Sequence, residues 1–416
     1  MTMTVTNGIP RQRPLDVAVV RQNDLESREL ALFDLLDQAG AINARAFGLR
    51  PTTPYGVDGL QMEIRFLPSL ATYLRKAPFG DAIERRLSTR HGTRLTAMWG
   101  LRRALGHDVD VINARETFQP ATLAACRYAK SHPRTRVVVS VFENIPFRYE
   151  DSKASADIKA RVRSSADLFV ANSPGAEYAL RTEGVDPDRI VVVPPGVDTG
   201  RFSPGPPSRD VRRRWGAEPD DVVVLYAGRL LREKGLVELL VALMPLLAAP
   251  AGPPGPVLVL HGSGPENSRL RRVATELRIT QRVRFSPWSP MEEMPDIYRS
   301  ADLVVLPSLP TPYWSEQFGY NLAEALGCGR PVLSTRSGEI PFTLGDAGVL
   351  VAPYEGAELL RAVAELTADQ NRRDEHSRMA RKRALTTFSL ESAGSALVDS
   401  FWNAVSRPPR MQESLR

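Results

Sequence analysis

Cysteine is nearly absent from this chain of 416 residues, with only Cys126 and Cys328 present. They lie far apart and outside any Cys-x-x-Cys pair, so neither a disulfide framework nor a zinc ribbon is indicated and both read as reduced thiols. The five histidines, His91, His107, His132, His261 and His376, show no metal-ligand spacing, and no metal site is expected from them. Long apolar runs are missing too. The longest, Gly235 to Pro250, is interrupted by Glu238 and Pro245 and falls short of the ~20 residues that cross a bilayer. The first dozen residues carry no sustained apolar segment, so they read as a loose tail rather than a signal peptide, and a cytoplasmic location is the expectation.

What is present describes a folded protein, with 43% apolar and 25% charged residues. The length exceeds the ~250–300 residues at which one hydrophobic core stops growing, which predicts two domains. The net charge is +6. Part of that excess gathers in one stretch, where Arg75, Lys76, Arg85, Arg86, Arg90, Arg94, Arg102 and Arg103 face only Asp81 and Glu84. The stretch reads either as a solvated basic face or as an amphipathic surface that meets acidic lipid peripherally at a membrane. Its aromatics are too sparse for base stacking, and no nucleic-acid partner is expected.

Short β-branched runs alternate with longer helical patterns, the signature of βαβ units and parallel sheets, so the fold class is α/β. The runs are Leu15–Val20, Val109–Ile112, Arg136–Val141, Leu168–Ala171 and Ile190–Val193, then Asp221–Ala227, Val257–His261, Val283–Phe285, Leu303–Leu306, Pro331–Thr335 and Gly348–Val351. The turn-rich segment from Pro195 to Arg212, with Pro204, Gly205, Pro206 and Pro207, reads as an interdomain linker. The organisation expected is a tail over 1–13, an N-terminal domain over 14–203, a C-terminal domain over 204–387, a final helix over 388–406 packing back on the N-terminal domain, and a disordered tail over 407–416.

Two segments carry chemistry. The strand Asp221–Ala227 runs into Gly228-Arg229-Leu230-Leu231-Arg232-Glu233-Lys234-Gly235 and then an apolar helix. In a doubly wound sheet ligands bind at the carboxyl ends of strands, and helix N-termini favour phosphates. Arg229 and Lys234 add a bidentate and a point-charge cation there, which suits a diphosphate. Taken alone, the motif reads equally well as a solvated basic loop. The second segment holds Glu316, Phe318, Gly319, Tyr320, Asn321 and Glu324, ahead of Gly327-Cys328-Gly329-Arg330-Pro331. A helix starting near Gly319 presents free amides, while Glu316 before it and Glu324 on it can accept from hydroxyls at two ends of one ligand.

Taken in order, these pieces resemble the family-4 glycosyltransferases of the GT-B fold. The resemblance runs through Val193-Pro194-Pro195-Gly196-Val197-Asp198 with Phe202, the Gly228-Arg229 and Lys234-Gly235 pairs, His261-Gly262-Ser263-Gly264-Pro265, Ala301-Asp302, Pro307-Ser308, the Glu316/Glu324 pair around Phe318-Gly319, Gly338 and Gly348. It is strong over residues 165–355 and rests only on strand and helix rhythm over the first 140. The resemblance implies two Rossmann-like domains facing across a cleft, acceptor in the first and nucleotide sugar in the second.

By the same resemblance Arg229 and Lys234 hold the donor diphosphate, Glu316 the donor sugar, the amides of Phe318, Gly319, Tyr320 and Asn321 the sugar and phosphates, and Glu324 the ribose. Gly262 and Gly264 let the backbone approach the nucleotide. His261 either touches the donor or is a packed histidine. Transfer with retention is implied, with neither metal nor cofactor beyond the nucleotide sugar, for which UDP is the first base expected and GDP the second. The acceptor implied is a glycan, a lipid-linked molecule or a small molecule in cell-envelope, exopolysaccharide or glycoconjugate synthesis. A natural-product transferase, a nucleotide-sugar epimerase and a silent nucleotide-sugar binder stay open as alternatives.

The N-terminal half departs from the family pattern. Arg21-Gln22-Asn23-Asp24 stands where relatives carry a glycine pair, and Phe142-Glu143-Asn144 where they carry a histidine. Glu143, with Asn144 and Asn23 beside the acceptor, is therefore a candidate to orient or deprotonate an acceptor, or else a cap on local backbone. The strings Asp108-Val109-Asp110 and Asp186-Pro187-Asp188 read as strand-start and turn chemistry rather than a cation site.

Overall fold

The computed structural model describes residues 13–50, 56–57, 59–74, 98–248 and 255–408. Most of the basic stretch, residues 75–97, lies outside them, as do 1–12 and 409–416 of the expected tails. Among the described residues thirteen strands form two sheets. The first holds β1 (Leu15–Asp24), β2 (Ile42–Leu49), β3 (Glu63–Phe66), β4 (Val111–Arg115), β5 (Arg136–Val141), β6 (Leu168–Ala171) and β7 (Ile190–Val192). The second holds β8 (Val222–Ala227), β9 (Pro256–His261), β10 (Val283–Ser286), β11 (Leu303–Leu306), β12 (Val332–Thr335) and β13 (Val349–Val351). The spatial orders are β3-β2-β1-β4-β5-β6-β7 and β10-β9-β8-β11-β12-β13, and the neighbouring pairs run parallel.

Parallel strands covered by helices on both faces need apolar side chains in both directions, which explains the fully buried Arg-Val-Val-Val-Ser-Val of β5. Val137, Val139 and Val141 feed one core with the helix Pro120–Ser131, while Val138 feeds the opposite core with the helix Ser27–Gln38. The strands β2 and β3 were not anticipated. The sequence Ile-Asn-Ala-Arg-Ala-Phe-Gly-Leu places Asn43 and Arg45 among small apolar residues, and β3 is a short edge strand with no buried position. Neither gives the β-branched run from which the other strands were read. The strand β1 runs on through Arg21 and Gln22, both buried, because the Arg21 guanidinium donates to the Asn113 carbonyl at 3.0 Å and to Asn113 Oδ1 at 2.9 Å.

The chain divides into two compact units, residues up to Gly196 together with those from Leu390 onward, and Val197–Ser389. The crossing falls at Gly196 rather than after residue 203. The start of the segment read as a linker is anchored within the second unit, where the Arg381 guanidinium donates to the carbonyls of Thr199, Phe202 and Gly327 at 3.0, 2.9 and 2.7 Å. The final helix, Leu390–Ser406, belongs to the first unit and covers one face of its sheet with Leu397, Val398, Phe401 and Ala404. Gly394 allows the close approach, since a Cβ there would come within 3.1 Å of Leu36 Cδ2.

Candidate functional site

In the second unit, successive strands step outward from β8 to β9 and β10, and the chain then returns to place β11 on the other side of β8. Strand order reverses between β8 and β11, and in open parallel sheets the crevice at the carboxyl end of such a reversal is where ligands bind. The loops leaving these two strands are Gly228–Gly235 and Pro307–Gly319. Arg229, Lys234, Glu316, Phe318 and Gly319 all lie on them.

The β8 loop continues the pairing of its strand with β9. Gly228 N donates to the His261 carbonyl at 3.0 Å, and Leu230 N to that of Ser263 at 2.8 Å. Gly262, at φ 138°, packs so closely that a Cβ would run into the Gly228 carbonyl oxygen, and one at Gly264 would strike that of Leu230. These two glycines are explained by the contact between loops. Nucleotide approach is not needed to account for them.

Lys234 Nζ lies 2.7 Å from Glu316 Oε2, an oxygen that also accepts from Ser308 Oγ at 3.0 Å. Their side chains are only 15% and 12% exposed, and the ammonium sits 4.8 Å from the centre of the Trp314 ring. The Glu316 backbone is held in turn, its carbonyl accepting from Glu339 N at 2.8 Å. The pair of cations expected to clamp a diphosphate is thus unequal. Lys234 is engaged by a carboxylate, whereas Arg229 is exposed and makes no ion pair among the described residues.

The helix Tyr320–Gly327 starts where expected, with Gly319 at φ 80° as its N-cap and no side chain capping its first amides. Asn321 ties that start to β8 by donating from Nδ2 to the Ala227 carbonyl at 2.8 Å. The Phe318 side chain is core, packed edge-on against Tyr320 and Phe388 at 5.1 and 5.3 Å, so only its backbone is left for a ligand. Glu324 is 1% exposed and its Oε2 accepts from the Tyr298 hydroxyl at 2.8 Å. His261 is 2% exposed, with Nδ1 at 2.9 Å from Ser286 Oγ. Burial, with Arg214 adding to it, pushes its pKa down to about 4, so the ring is neutral near pH 7. Nδ1 is thus held within the unit, while Nε2 is buried without a hydrogen-bond partner among the described residues.

In the first unit Glu143 follows β5 and is buried, accepting from Ile145 N at 3.0 Å and lying 3.7 Å from Arg148 Nε. Burial raises its pKa above the ordinary carboxylate value. Asn144 beside it is half-buried. Asn23 falls on β1, but its side chain lies outside the described residues. Asp110 pairs with Arg13 at 2.8 Å, and Asp186 accepts from Asp188 N at 3.0 Å, the strand-start and turn roles read from the sequence.

Sequence reasoning missed several members of these sites. Tyr298, from a helix ahead of β11, partners Glu324, while Ser308 and Trp314, on the same loop as Glu316, partner Glu316 and Lys234. Gln22 Oε1 accepts from Ala121 N at 2.8 Å and so caps the helix Pro120–Ser131 from a neighbouring strand. Glu116, just past β4, is buried with its pKa pushed up to about 7, chiefly by burial. Only its place at a strand end could have signalled it.

Two Rossmann-like α/β units, the second with a cationic loop and a glutamate loop at its strand-order reversal, define a GT-B protein. The family model described as Glycosyl transferases group 1 matches residues 208–383, and that described as Glycosyltransferase Family 4 matches residues 66–201. The chain belongs to this family of group 1, family-4 glycosyltransferases. It is 33% identical over 218 residues to the D-inositol 3-phosphate glycosyltransferase of Streptomyces bingchenggensis, a match covering 50% of this chain and 47% of the relative. The protein of the same description from Corynebacterium jeikeium is 34% identical over 247 residues, covering 57% of each. The chain thus spans about half the length of these curated relatives. Among solved structures, Anabaena HepE in complex with UDP superposes with a TM-score of 0.70 at 18% identity, over 94% of this chain and 100% of that one.

Proposed function

We propose that this chain transfers a sugar from a nucleotide diphosphate sugar to an acceptor hydroxyl with retention of configuration, the donor being held by the second unit. The observation that carries the reading is the Lys234–Glu316 pair at the β8/β11 reversal, with exposed Arg229 on the same loop as Lys234. As the bond to the sugar breaks, negative charge grows on the leaving diphosphate. A cation whose charge is not already taken up by a carboxylate stabilises that growth most, which gives the larger share to Arg229. Lys234, locked by Glu316, acts more as a fixed positive wall. Glu316 Oε2 is occupied by Lys234 and Ser308, an arrangement that orients the carboxylate toward a donor-sugar hydroxyl.

UDP is the first base to test, in keeping with the UDP bound in the HepE structure, and GDP the second. The relatives' description makes a phosphorylated cyclitol one acceptor to test, beside glycans and lipid-linked acceptors of cell-envelope or exopolysaccharide synthesis. Peripheral contact with acidic membrane is proposed for the side of the first unit where exposed Tyr73 and Trp99 stack at 5.7 Å, flanking the basic stretch. No helix of the described residues is long and apolar enough to cross a membrane.

Calorimetric titration with UDP, GDP, ADP and dTDP in EDTA tests the donor reading and its independence of metal together. Selective binding of one nucleotide with retained affinity in chelator is expected. Turnover of the donor by the full chain without any acceptor, yielding an isomerised nucleotide sugar, would replace transfer by epimerisation.

A further inference from the structure

One groove of the second unit is lined by none of the residues assigned to the donor. It holds about 300 Å³ between the helices Leu236–Leu247 and Gly356–Ala368 and the loops that leave β11 and β13. The two helices touch at Gly356, where a Cβ would lie 3.5 Å from Ala242 Cβ. Val237, Val241, Leu309, Val351 and Leu359 give the groove apolar walls. Protein interiors pack without voids of this size, whereas ligand pockets start at roughly 300 Å³ and pair mostly apolar walls with a few polar groups.

The polar groups at its mouth are unequal. The cation there, Arg232, is held by both oxygens of Glu238 at 2.6 and 2.9 Å, and Glu358 Oε2 accepts from Ala352 N at 2.7 Å. Glu355 is exposed, does not cap the helix it precedes and makes no ion pair among the described residues. Beside it Tyr354 stands at φ 66°, a left-handed conformation that strains a bulky residue, and its hydroxyl reaches across to donate to the Pro310 carbonyl at 2.8 Å. The Tyr354 ring is 63% exposed, with no ring or cation stacked on it among the described residues. An unpaired carboxylate and an open aromatic face above apolar walls match a ligand with an apolar body and a cationic end. The body fills the walls, while an ammonium meets Glu355 and the face of Tyr354.

We propose that this groove is a binding site for a small molecule with an apolar body and one ammonium group, and that its occupancy tightens the donor site. The link is the wall formed by Pro307 and Leu309. Between them Ser308 donates to Glu316 Oε2 at 3.0 Å, and Leu309 N donates to the carbonyl of Glu233, next to Lys234, at 2.8 Å. Pro307 packs so closely on the loop of Lys234 that a Cβ at Gly235 would strike its carbonyl oxygen. A ligand in the groove braces these three residues, and through them both members of the Lys234–Glu316 pair. The coupling rests on the donor reading, whereas the binding site does not. Because coupling is reciprocal, a bound nucleotide tightens the amine by the same factor.

The test titrates the full chain by calorimetry with phenethylammonium, neutral phenethyl alcohol and anionic hydrocinnamate, and with UDP and GDP in the absence and presence of the amine. The wild type should bind phenethylammonium most tightly and hydrocinnamate least. Glu355→Gln should weaken the amine about threefold and leave the alcohol unchanged. Val241→Trp, which crowds the groove, should weaken both. Both positions are exposed, so both variants should fold. Saturating amine should tighten nucleotide binding roughly fivefold in the wild type and not in Val241→Trp. Absence of amine binding, or equal amine affinity in wild type and both variants, overturns the site, and amine binding that leaves nucleotide affinity unchanged or weaker overturns the coupling. Amine binding with the expected charge preference but no nucleotide binding supports the site and overturns the donor reading instead.

Discussion

Lys234 and Glu316 stand 82 positions apart in the chain, yet their charged atoms lie 2.7 Å from each other at the carboxyl end of the second sheet. Each is mostly buried, so removing one leaves the other's charge poorly solvated. Lys234→Ala and Glu316→Gln should each destabilise the protein, and the double variant should lose less than the sum, with a coupling of about 1–3 kcal/mol by urea denaturation. Both single variants should also lower turnover by roughly 100-fold. Additive stability losses would show that the pair is not a unit.

Arg229 makes the contrasting case. Being exposed and unpaired among the described residues, it contributes little to folding. Arg229→Ala should leave the melting temperature unchanged while weakening nucleotide diphosphate binding by roughly tenfold or more, the loss of one charge-assisted contact. A variant that binds nucleotide as tightly as the wild type removes Arg229 from the donor site.

His261 should make stability fall on the acid side. Its folded pKa, about 4, lies below the ordinary 6.5. The unfolded chain therefore binds the proton first, and the stability that depends on the neutral ring is present above 6.5 and lost as pH falls toward 4, on the order of 3 kcal/mol in all. Thermal melts of wild type and His261→Gln across that range check this, and the variant's curve should be flatter.

Glu116 shifts the opposite way. Its folded pKa is raised from 4.5 to about 7, so the folded state holds the proton longer than the unfolded chain. The associated stability is fully present below 4.5 and disappears as pH rises through about 7. Glu116→Gln should accordingly be more stable to urea than wild type at pH 8, by up to about 3 kcal/mol, with no such gain at pH 4.

The final helix should be indispensable to the first unit. Phe401 is fully buried in the core that its helix shares with β5, β6 and the Ser27–Gln38 helix. Phe401→Ala should cost about 3–5 kcal/mol, measured by denaturant unfolding. A loss below about 1 kcal/mol would mean that the helix is only loosely seated.

Much of the second unit was readable because its information is local. Strands such as Leu303–Leu306 are β-branched runs between turn formers, and Gly319 before an apolar, helix-forming stretch marks a helix start whatever surrounds it. The first unit was harder to read. The strand β2 carries Asn43 and Arg45 and β3 sits at an edge, so neither shows the apolar run that burial on both faces demands elsewhere.

The sequence by itself determined the α/β class, the doubling of the sheet, and which residues cluster on the loops after β8 and β11, since propensity and spacing act between near neighbours. Only the tertiary structure decided how those residues are used. Strand order, not chain order, sets β8 against β11, and parallel pairing brings the ends of β4 and β5 together. That juxtaposition engages Lys234 with Glu316 while Arg229 stays unpaired, turns Phe318 into core, and buries Glu116 beneath the end of β5 with one oxygen unsatisfied among the described residues. Burial and partnership are properties of neighbours in space, and those neighbours come from segments that the intervening strands and helices separate in the chain.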